Sequence, residues 1–342
     1  MNEDKIIEIQ AKKSQKRLDS SYPSFSIIIE CENVRFSELR RAEKMLQQVA
    51  KQISEISEIL STHPEIIVLY DKEVTKDNNI EQFVRDALQP LISLIDLKLI
   101  PTSNLNYFEQ KNLGAKNSSN EILIFLDSDV IPNDGWLTSL LSPFTDKEIS
   151  VVAGRNYISP ISMWDKTFAL FWIFPPENDK NFKTSQHAEI LPNNAAVRRK
   201  VFHSIEFPVT SSFRGASTDF SNLVKKHDYN IFIQPNARTA HPSVNGLHHA
   251  ISKSLAEGHD FVFAWRGSHD KYLKNSSKQK HSIIKFIREK ISLYNKRRKY
   301  ITLSTKEKIQ VFCCSSLYSG FLIIGFFLTL INPRIIEGSL KI

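Results

Sequence analysis

The chain has 342 residues, of which 41% are hydrophobic and 24% are charged, a composition typical of a folded globular protein. Intrinsic disorder, a collagen-like structure and a disulfide scaffold are excluded, and the only three cysteines, Cys31, Cys313 and Cys314, favour a reducing compartment. The net charge is +8, but residues 271–308 alone carry +11, so the remainder of the chain is mildly acidic. We therefore expect no nucleic-acid partner.

The first half of the chain alternates strand patterns with helical patterns. Apolar runs predict strands at Phe25–Ile29, Glu65–Tyr70, Leu97–Ile100 and Ile122–Leu126. Helical patterns cover Ser37–Leu60, Ile80–Ile95 with a break at Pro90, and Tyr107–Ala115. Continuous apolar strands separated by helices predict an α/β fold with a mostly parallel, Rossmann-like sheet that helices cover on both faces. Ligands of such sheets bind beyond the carboxyl ends of the strands.

Two carboxylates, Asp127 and Asp129, directly follow the fourth predicted strand. Residues two apart in an extended chain point to the same side, so both carboxylates can approach one ion at the edge of the sheet. Hard oxygen ligands of this kind suit Mg²⁺ or Mn²⁺ shared with substrate phosphates. Pro132 ends the strand, and residues 133–135 can cap a helix that begins near Trp136. Loop solvation and helix capping are the alternative roles of the two carboxylates.

The run QKNLGAKNSSNEILIFLDSDVIPNDGWL, residues 110–137, resembles the centre of a family 2 glycosyltransferase of the GT-A fold. In that family a basic residue and Asn-x-Gly precede a strand that ends in Asp-x-Asp. The similarity extends from Phe25 to about Pro242. It implies a GT-A type α/β fold and transfer of a sugar from a nucleotide sugar, UDP- or GDP-linked, with Mn²⁺ or Mg²⁺ as cofactor.

The resemblance also implies which residues bind the donor. The implied residues of the nucleotide-sugar site are Glu30, Asp71, Lys111, Asn112 and Asp127. Asp71 closes the second strand and would contact the nucleoside, whereas Asp127 would lie at the ribose. Asp129 would hold the metal at the pyrophosphate.

The later part of the resemblance concerns the metal and the acceptor. His241, in the segment ARTAHP, resembles the family's histidine that approaches the metal or pyrophosphate, and a core or surface histidine is the alternative. Asn193 and Asn194 resemble the acceptor-side segment. Where the family carries Glu-Asp before another acid, this chain has Ala216-Ser217 and then Asp219. Asp219 is therefore the candidate base for the acceptor hydroxyl, and a helix cap is its alternative role.

Residues 311–332 contain no charge, and at about 1.5 Å per residue a helix of this length spans the roughly 30 Å bilayer core. We interpret them as a C-terminal transmembrane helix, with a buried core helix as the alternative. The basic residues before it place the preceding domain in the cytoplasm. Residues 282–300 follow helical spacing and predict an interfacial helix, for which a solvated basic linker is the alternative. The N-terminal residues 1–21 lack the apolar run of a signal peptide.

The expected organisation is a polar tail (1–21), a GT-A domain (22–268), a basic linker with an interfacial helix (269–310), a membrane helix (311–332) and a short tail (333–342). We expect an inverting, metal-dependent glycosyltransferase at the cytoplasmic membrane face. Its acceptor would be a glycan or a lipid-linked molecule. A nucleotidyltransferase with the same sheet and a degenerate, non-catalytic nucleotide-binding scaffold at the membrane are the alternative functions.

Overall fold

The computed structural model describes residues 22–31, 39–73, 79–179, 189–209, 215–266 and 283–340. The predicted N-terminal tail and the linker residues 269–282 lie outside the described residues. Eight strands form one sheet in the order β3-β2-β1-β4-β7-β6-β8-β5. Helices lie on both faces of the sheet, as predicted.

The first four strands are parallel and form one half of the sheet. They are β1 (Phe25–Glu30), β2 (Glu65–Asp71), β3 (Asp96–Thr102) and β4 (Ile122–Asp127). The predicted strands match them to within two residues at each end. Alternate residues of β1 face opposite sides, since Ile27 and Ile29 belong to one apolar cluster and Ile28 belongs to the other. Strands β1, β2 and β4 are therefore buried on both faces, whereas the edge strand β3 is mostly half-buried.

The helices between these strands cover the two clusters. They are α1 (Leu39–Ile56), α2 (Ile80–Leu88) and α3 (Tyr107–Lys116). Helix α1 buries an apolar stripe that includes Met45, Leu46 and Ile53. Asn106 caps α3 through a reciprocal capping box with Glu109, which fixes the first turn of the helix. This first turn carries a residue of the site described below.

The second half of the sheet is mixed rather than parallel. Its strands are β5 (Ile131–Pro132), β6 (Val151–Tyr157), β7 (Asn194–Arg198) and β8 (Ile231–Ala240). Strand β7 runs antiparallel to both β4 and β6, β8 runs parallel to β6, and β5 pairs antiparallel with β8. The connecting helices are α4 (Trp136–Leu141), α5 (Met163–Phe171), α6 (Arg199–Ser204) and α7 (Gly215–Lys226).

The C-terminal part is helical. It comprises α8 (Gly246–Arg266), α9 (Ile283–Arg297), α10 (Thr305–Ile331) and α11 (Arg334–Leu340). Helix α9 packs on α5, since the ring of Tyr294 stacks on Phe171 at 5.4 Å. Arg297 donates to the carbonyl oxygens of Ala169 and Phe174, so this basic side chain clamps the end of α5. Lys290 also donates to a carbonyl oxygen of α5.

Helix α10 begins six residues before the predicted transmembrane segment 311–332, at Thr305, and ends one residue before its last residue, at Ile331. It is long and apolar enough to cross a membrane, and only 11% of its most apolar window is buried. This exposure differs from that of a mostly buried core helix, and insertion into a membrane stays a prediction. Helix α10 nevertheless packs along α8, where Gly258 and Gly325 bring the two backbones into direct contact. A side chain at either glycine would collide with the backbone of the other helix.

Candidate active site

Asp127 ends β4 and is held by two side chains of α3. Lys111 Nζ lies 2.8 Å from Asp127 Oδ1, and the Tyr107 hydroxyl donates to the same oxygen at 2.7 Å. Lys111 is fully buried and Asp127 is 4% exposed, so the pair is a buried ion pair with an additional hydrogen bond. Burial, followed by the charges of Asp127 and Glu30, raises the pKa of Tyr107 and keeps its hydroxyl a donor. Sequence analysis missed Tyr107, whose position in the first turn of α3 was the available signal.

Asp129 is buried to a similar degree but is held differently. Its Oδ1 atom has no hydrogen-bond partner among the described residues, and the same holds for Ser128 Oγ. Burial and then the charge of Asp127 raise the pKa of Asp129 to about 7, although Arg41 opposes the shift. An unpartnered, buried carboxylate oxygen beside a second carboxylate is the donor arrangement that a divalent cation would complete. These residues therefore fit the predicted cation.

Arg41 of α1 fixes the backbone around Asp129. Its Nε donates to the carbonyl oxygen of Asp129, and Nη2 donates to that of Ala240 at 2.8 Å. Arg41 thereby joins the loop after β4 to the end of β8, directly before His241. Burial lowers the pKa of Arg41, and the charge of Asp129 partly opposes this. Sequence analysis missed this residue, because no local pattern distinguishes one arginine of a helix from its neighbours.

Glu30 and Asp71 lie at the same edge of the sheet as Asp127. Glu30 is fully buried and lies in register beside Asp127, because β1 pairs with β4. Asp71 ends β2 and accepts hydrogen bonds from the backbone N–H groups of Glu73 and Asn104 at 2.8 and 3.0 Å. The parallel strands thus bring together three predicted donor-site carboxylates, as the carboxyl-end rule requires. Their contacts with a nucleotide stay predictions.

The predicted asparagines make internal hydrogen bonds. The Asn112 amide donates to the Phe207 carbonyl oxygen at 2.8 Å and accepts from its N–H at 3.1 Å, which ties α3 to the segment after α6. Asn193 Oδ1 accepts from Asn156 at 2.6 Å. Asn194 accepts from Trp136 Nε1 and donates to the Ala237 carbonyl oxygen. These amides position the backbone, and their roles toward nucleotide and acceptor stay predictions.

His241 lies where β8 ends. Its Nδ1 atom is 2.6 Å from the Pro242 carbonyl oxygen, and its ring packs on Trp172 and Phe174 at centroid distances of 5.4 and 4.5 Å. The contact of Nδ1 with this backbone oxygen therefore helps to orient the His241 ring. The role of His241 as a metal or pyrophosphate neighbour stays a prediction.

Asp219 lies in the second turn of α7 and is 8% exposed. The helix begins at Gly215, so Asp219 is inside it and not at the position of an N-terminal cap. Ala216 and Phe220 of the same helix enter the apolar cluster on the α3 side of the sheet. The alternative of a helix cap therefore does not fit, and its role as the base stays a prediction.

A cavity of about 460 Å³ opens beside Asp129. It lies between the start of α1, the start of α5 and the segment after β8. Within the described ranges, no group of three or more His, Cys, Asp or Glu side chains is arranged to hold a metal ion. A cation at Asp129 would therefore complete its coordination with substrate or water oxygens, as Mg²⁺ sites commonly do.

This edge of the sheet, with a carboxylate pair after β4 and a cavity beside it, has the position at which α/β proteins commonly bind ligands. The signature of the family described as Glycosyl transferase family 2 matches residues 26–206, more than half of the chain. The chain therefore belongs to glycosyl transferase family 2, and the protein is a glycosyltransferase of the GT-A fold class. The predicted family and enzyme class are confirmed.

No curated protein matches the chain significantly. Among solved structures, the chain is similar to a mannosyltransferase from Pyrobaculum calidifontis in complex with GDP-Man and Mn²⁺. The TM-score is 0.49 and the identity 12%, over 97% of this chain and 90% of that one. It is also similar to glucosyl-3-phosphoglycerate synthase from Mycobacterium tuberculosis, with a TM-score of 0.46 and 15% identity, over 73% and 82% of the two chains. S. aureus TarS gives a TM-score of 0.47 and 13% identity, over 87% and 81%.

Proposed function

We propose that the protein transfers a sugar, with inversion at the anomeric carbon, from a nucleotide sugar to an acceptor hydroxyl. The transfer requires Mn²⁺ or Mg²⁺ and takes place at the cytoplasmic face of a membrane. The observation that carries this proposal is the contrast between the two carboxylates after β4. Asp127 is paired with Lys111, whereas a buried oxygen of Asp129 is without a partner among the described residues.

The two carboxylates have separate tasks in this reaction. Asp127, fixed by Lys111 and Tyr107, presents a rigid acceptor to donor hydroxyl groups. Asp129 would hold the cation through its unpartnered carboxylate oxygen. When bound, the cation neutralises the negative charge that develops on the departing nucleoside diphosphate. Arg41 keeps Asp129 in place through the backbone carbonyl, so that its carboxylate is left for the cation.

Asp219 is the proposed base that takes the proton of the acceptor hydroxyl. Inversion needs a single displacement in which the acceptor oxygen attacks opposite to the leaving diphosphate. Asp219 is 8% exposed and lies on the helix whose Ala216 and Phe220 enter an apolar cluster, so its carboxylate is largely shielded from bulk water, as a positioned base requires. This assignment depends on the similarity of residues 215–231 to the corresponding family segment.

The membrane location is supported by α10 and by the basic residues before it. Large apolar side chains of α10 are exposed, among them Phe312, Phe327 and Ile331 at 71%, 57% and 78%. An apolar face of this kind is unfavourable in water. With the basic segment on the cytoplasmic side, the catalytic domain lies in the cytoplasm as a single-pass protein. A reporter fused to the N-terminus and found outside the cytoplasm would contradict this orientation.

A donor screen tests the catalytic proposal. The purified full chain is incubated with UDP- and GDP-sugars and Mn²⁺ or Mg²⁺, and release of the nucleoside diphosphate is measured. We expect release from one donor class, dependent on the cation, and product of inverted anomeric configuration by NMR. A folded protein that binds nucleotides but releases none with any donor would support the scaffold alternative instead.

A further inference from the structure

We propose that the cavity beside Asp129 binds the acceptor through a phosphate group, and that this phosphate is carried by a lipid. The inference rests on the proposed glycosyl transfer and specifies its acceptor. The cavity of about 460 Å³ is within the range of about 300–1,000 Å³ that is usual for small-molecule sites. It is large enough for a headgroup but not for a complete lipid.

The wall formed by α1 is strongly basic. Arg40, Arg41 and Lys44 all line the cavity. Arg41 is used for the backbone of residues 129 and 240, but neither Arg40 nor Lys44 has an ion-pair or hydrogen-bond partner among the described residues. Two cations one helical turn apart that face the same cavity suit the oxygens of a phosphate monoester or diphosphate.

The position of the cavity separates it from the proposed nucleotide site. Glu30 and Asp71, the proposed donor residues, end the parallel strands β1 and β2. The cavity lies on the opposite side of the carboxylate pair, where Ile131, Ser162 and Ser243 line it. A ligand in the cavity therefore reaches Asp129 from the side away from the nucleoside, as an acceptor must.

Exposed apolar side chains occur within two residues of the cavity lining in the sequence. Ile161, directly before the lining residue Ser162, is 83% exposed, and Leu247, two residues before the lining residue His249, is 54% exposed. The α1 wall of the cavity is basic, although the carboxylates of Asp129 and Asp165 also line it. Large apolar side chains near such a wall fit an amphiphile whose phosphate contacts the cations and whose hydrocarbon chain remains outside. A water-soluble sugar phosphate has no hydrocarbon chain that could contact these apolar side chains.

The two helices that form this part of the cavity are fixed to α10. Lys166 of α5 lies beside the lining residue Asp165 and pairs with Glu307 in the first turn of α10 at 2.5 Å. Helix α8, which begins at the cavity, packs against α10 at Gly258. The Lys166–Glu307 pair places this part of the cavity near the first turn of α10, which is the level of phosphate headgroups if α10 spans a bilayer, whereas Gly258 contacts α10 further along, at Leu322 and Gly325.

Binding of simple amphiphiles to the full chain in a neutral detergent tests the proposal. The probes are dodecyl phosphate, dodecanol and glycerol phosphate, with titration calorimetry as the measurement. We expect dodecyl phosphate to bind at least about 10-fold more tightly than either other probe. Dodecanol lacks the phosphate group, and glycerol phosphate lacks the hydrocarbon chain. Glycerol phosphate that binds as well as dodecyl phosphate would overturn the lipid assignment, and dodecanol that binds as well would overturn the phosphate assignment.

Variants connect the binding to the cavity. In the double variant Arg40→Gln/Lys44→Gln, affinity for dodecyl phosphate should fall about 10-fold or more, because two charge-assisted contacts are lost. Lys51→Gln removes one positive charge from the same helix outside the cavity and should leave the affinity for dodecyl phosphate unchanged. Leu247→Ser should lower the affinity for dodecyl phosphate, which has a hydrocarbon chain, but not the affinity for glycerol phosphate, which has none. Unchanged dodecyl phosphate affinity in the double variant would refute the proposal.

Nucleotide binding in the same variants separates this proposal from the proposed function. UDP and GDP affinity with Mn²⁺ should be retained in Arg40→Gln/Lys44→Gln. If the double variant loses nucleotide affinity instead, the two cations serve the donor diphosphate and the acceptor assignment is wrong. If the unaltered chain binds dodecyl phosphate but neither nucleotide, the proposed glycosyl transfer fails while the phosphate site stands.

Discussion

The two sides of the carboxylate pair are constructed in different ways. On the Asp127 side, the parallel strands β1, β2 and β4 are buried along their whole length, and the carboxylate is paired with Lys111 in the interior. On the Asp129 side, the sheet is mixed, a cavity opens, and a buried oxygen of the carboxylate has no partner among the described residues. The first side satisfies its buried carboxylate within the protein, whereas the second leaves an oxygen of Asp129 for the proposed cation. Changes on the first side should cost stability, and changes on the second should cost activity.

The largest effect is expected on the open side. Asp129→Ala should abolish transfer and cation-dependent nucleotide binding, since the unpartnered carboxylate is lost, while the thermal midpoint remains close to that of the unaltered chain. Asp134→Ala, an exposed carboxylate five residues away that pairs with Lys51, is the matched control. The measurements are nucleotide titrations with and without Mn²⁺ and a melting curve. Equal nucleotide affinity with and without the cation would refute metal dependence.

Asp219→Asn should reduce turnover by roughly 10² to 10⁴, the usual contribution of a general base, with donor and cation binding retained. The control is Asp228→Asn, at an exposed position beyond the same helix where a left-handed backbone suits asparagine. Rates at saturating donor and nucleotide affinities are compared. Near-normal turnover in Asp219→Asn would move the role of base to His241 or to the substrate.

Removing one partner of the Lys111–Asp127 ion pair should lower the stability of the protein rather than its activity. Lys111→Met leaves Asp127 buried and uncompensated, so we expect a loss of about 3–5 kcal/mol in the free energy of unfolding. Lys116→Met, on an exposed part of the same helix, should cost far less. The double variant Lys111→Met/Asp127→Asn should regain part of the loss, because the unpaired charge is gone. Urea unfolding measures all three, and a stable single variant would show that Tyr107 alone satisfies Asp127.

The smallest effect concerns acid stability of the parallel half. Glu65 accepts hydrogen bonds from Ser26, Lys98 and Ser119, which link β1, β2, β3 and the loop before β4. Burial alone would raise the pKa of Glu65, but these hydrogen bonds outweigh it and lower the pKa to about 2 from an ordinary 4.5. A lowered carboxyl pKa contributes stability that is complete above about pH 4.5 and is lost as the pH falls toward 2.

Glu65→Gln should therefore lower the free energy of unfolding at pH 7 by about 1.5–3 kcal/mol, the range for hydrogen bonds to a charged group. Between pH 5 and pH 2 its stability should fall less steeply than that of the unaltered chain. Glu55→Gln, an exposed change on α1, is the control. Parallel pH profiles for Glu65→Gln and the unaltered chain would show that this network does not link stability to pH.

The sequence alone determined the order and type of the elements in the first half of the chain. Strand patterns at residues 25–29, 65–70, 97–100 and 122–126 are local, because an apolar run and its flanking turn residues lie within a few positions. The same applies to Asp127 and Asp129 after β4, and to the apolar helix α10. Each of these depends on neighbours in sequence, which a single sequence displays.

Tertiary structure decided which groups complete the site. Arg41 reaches carbonyl groups 88 and 199 residues away in the chain, and no local pattern marks it. The pairing of Lys111 and Tyr107 with Asp127 arises because α3 packs beside the end of β4. The mixed strand order of the second half likewise depends on pairings between distant segments. Such contacts are determined by packing and burial across the whole fold. The difference between Asp127, which is paired with Lys111 and Tyr107, and Asp129, which has an unpartnered oxygen among the described residues, therefore arises only in the folded chain.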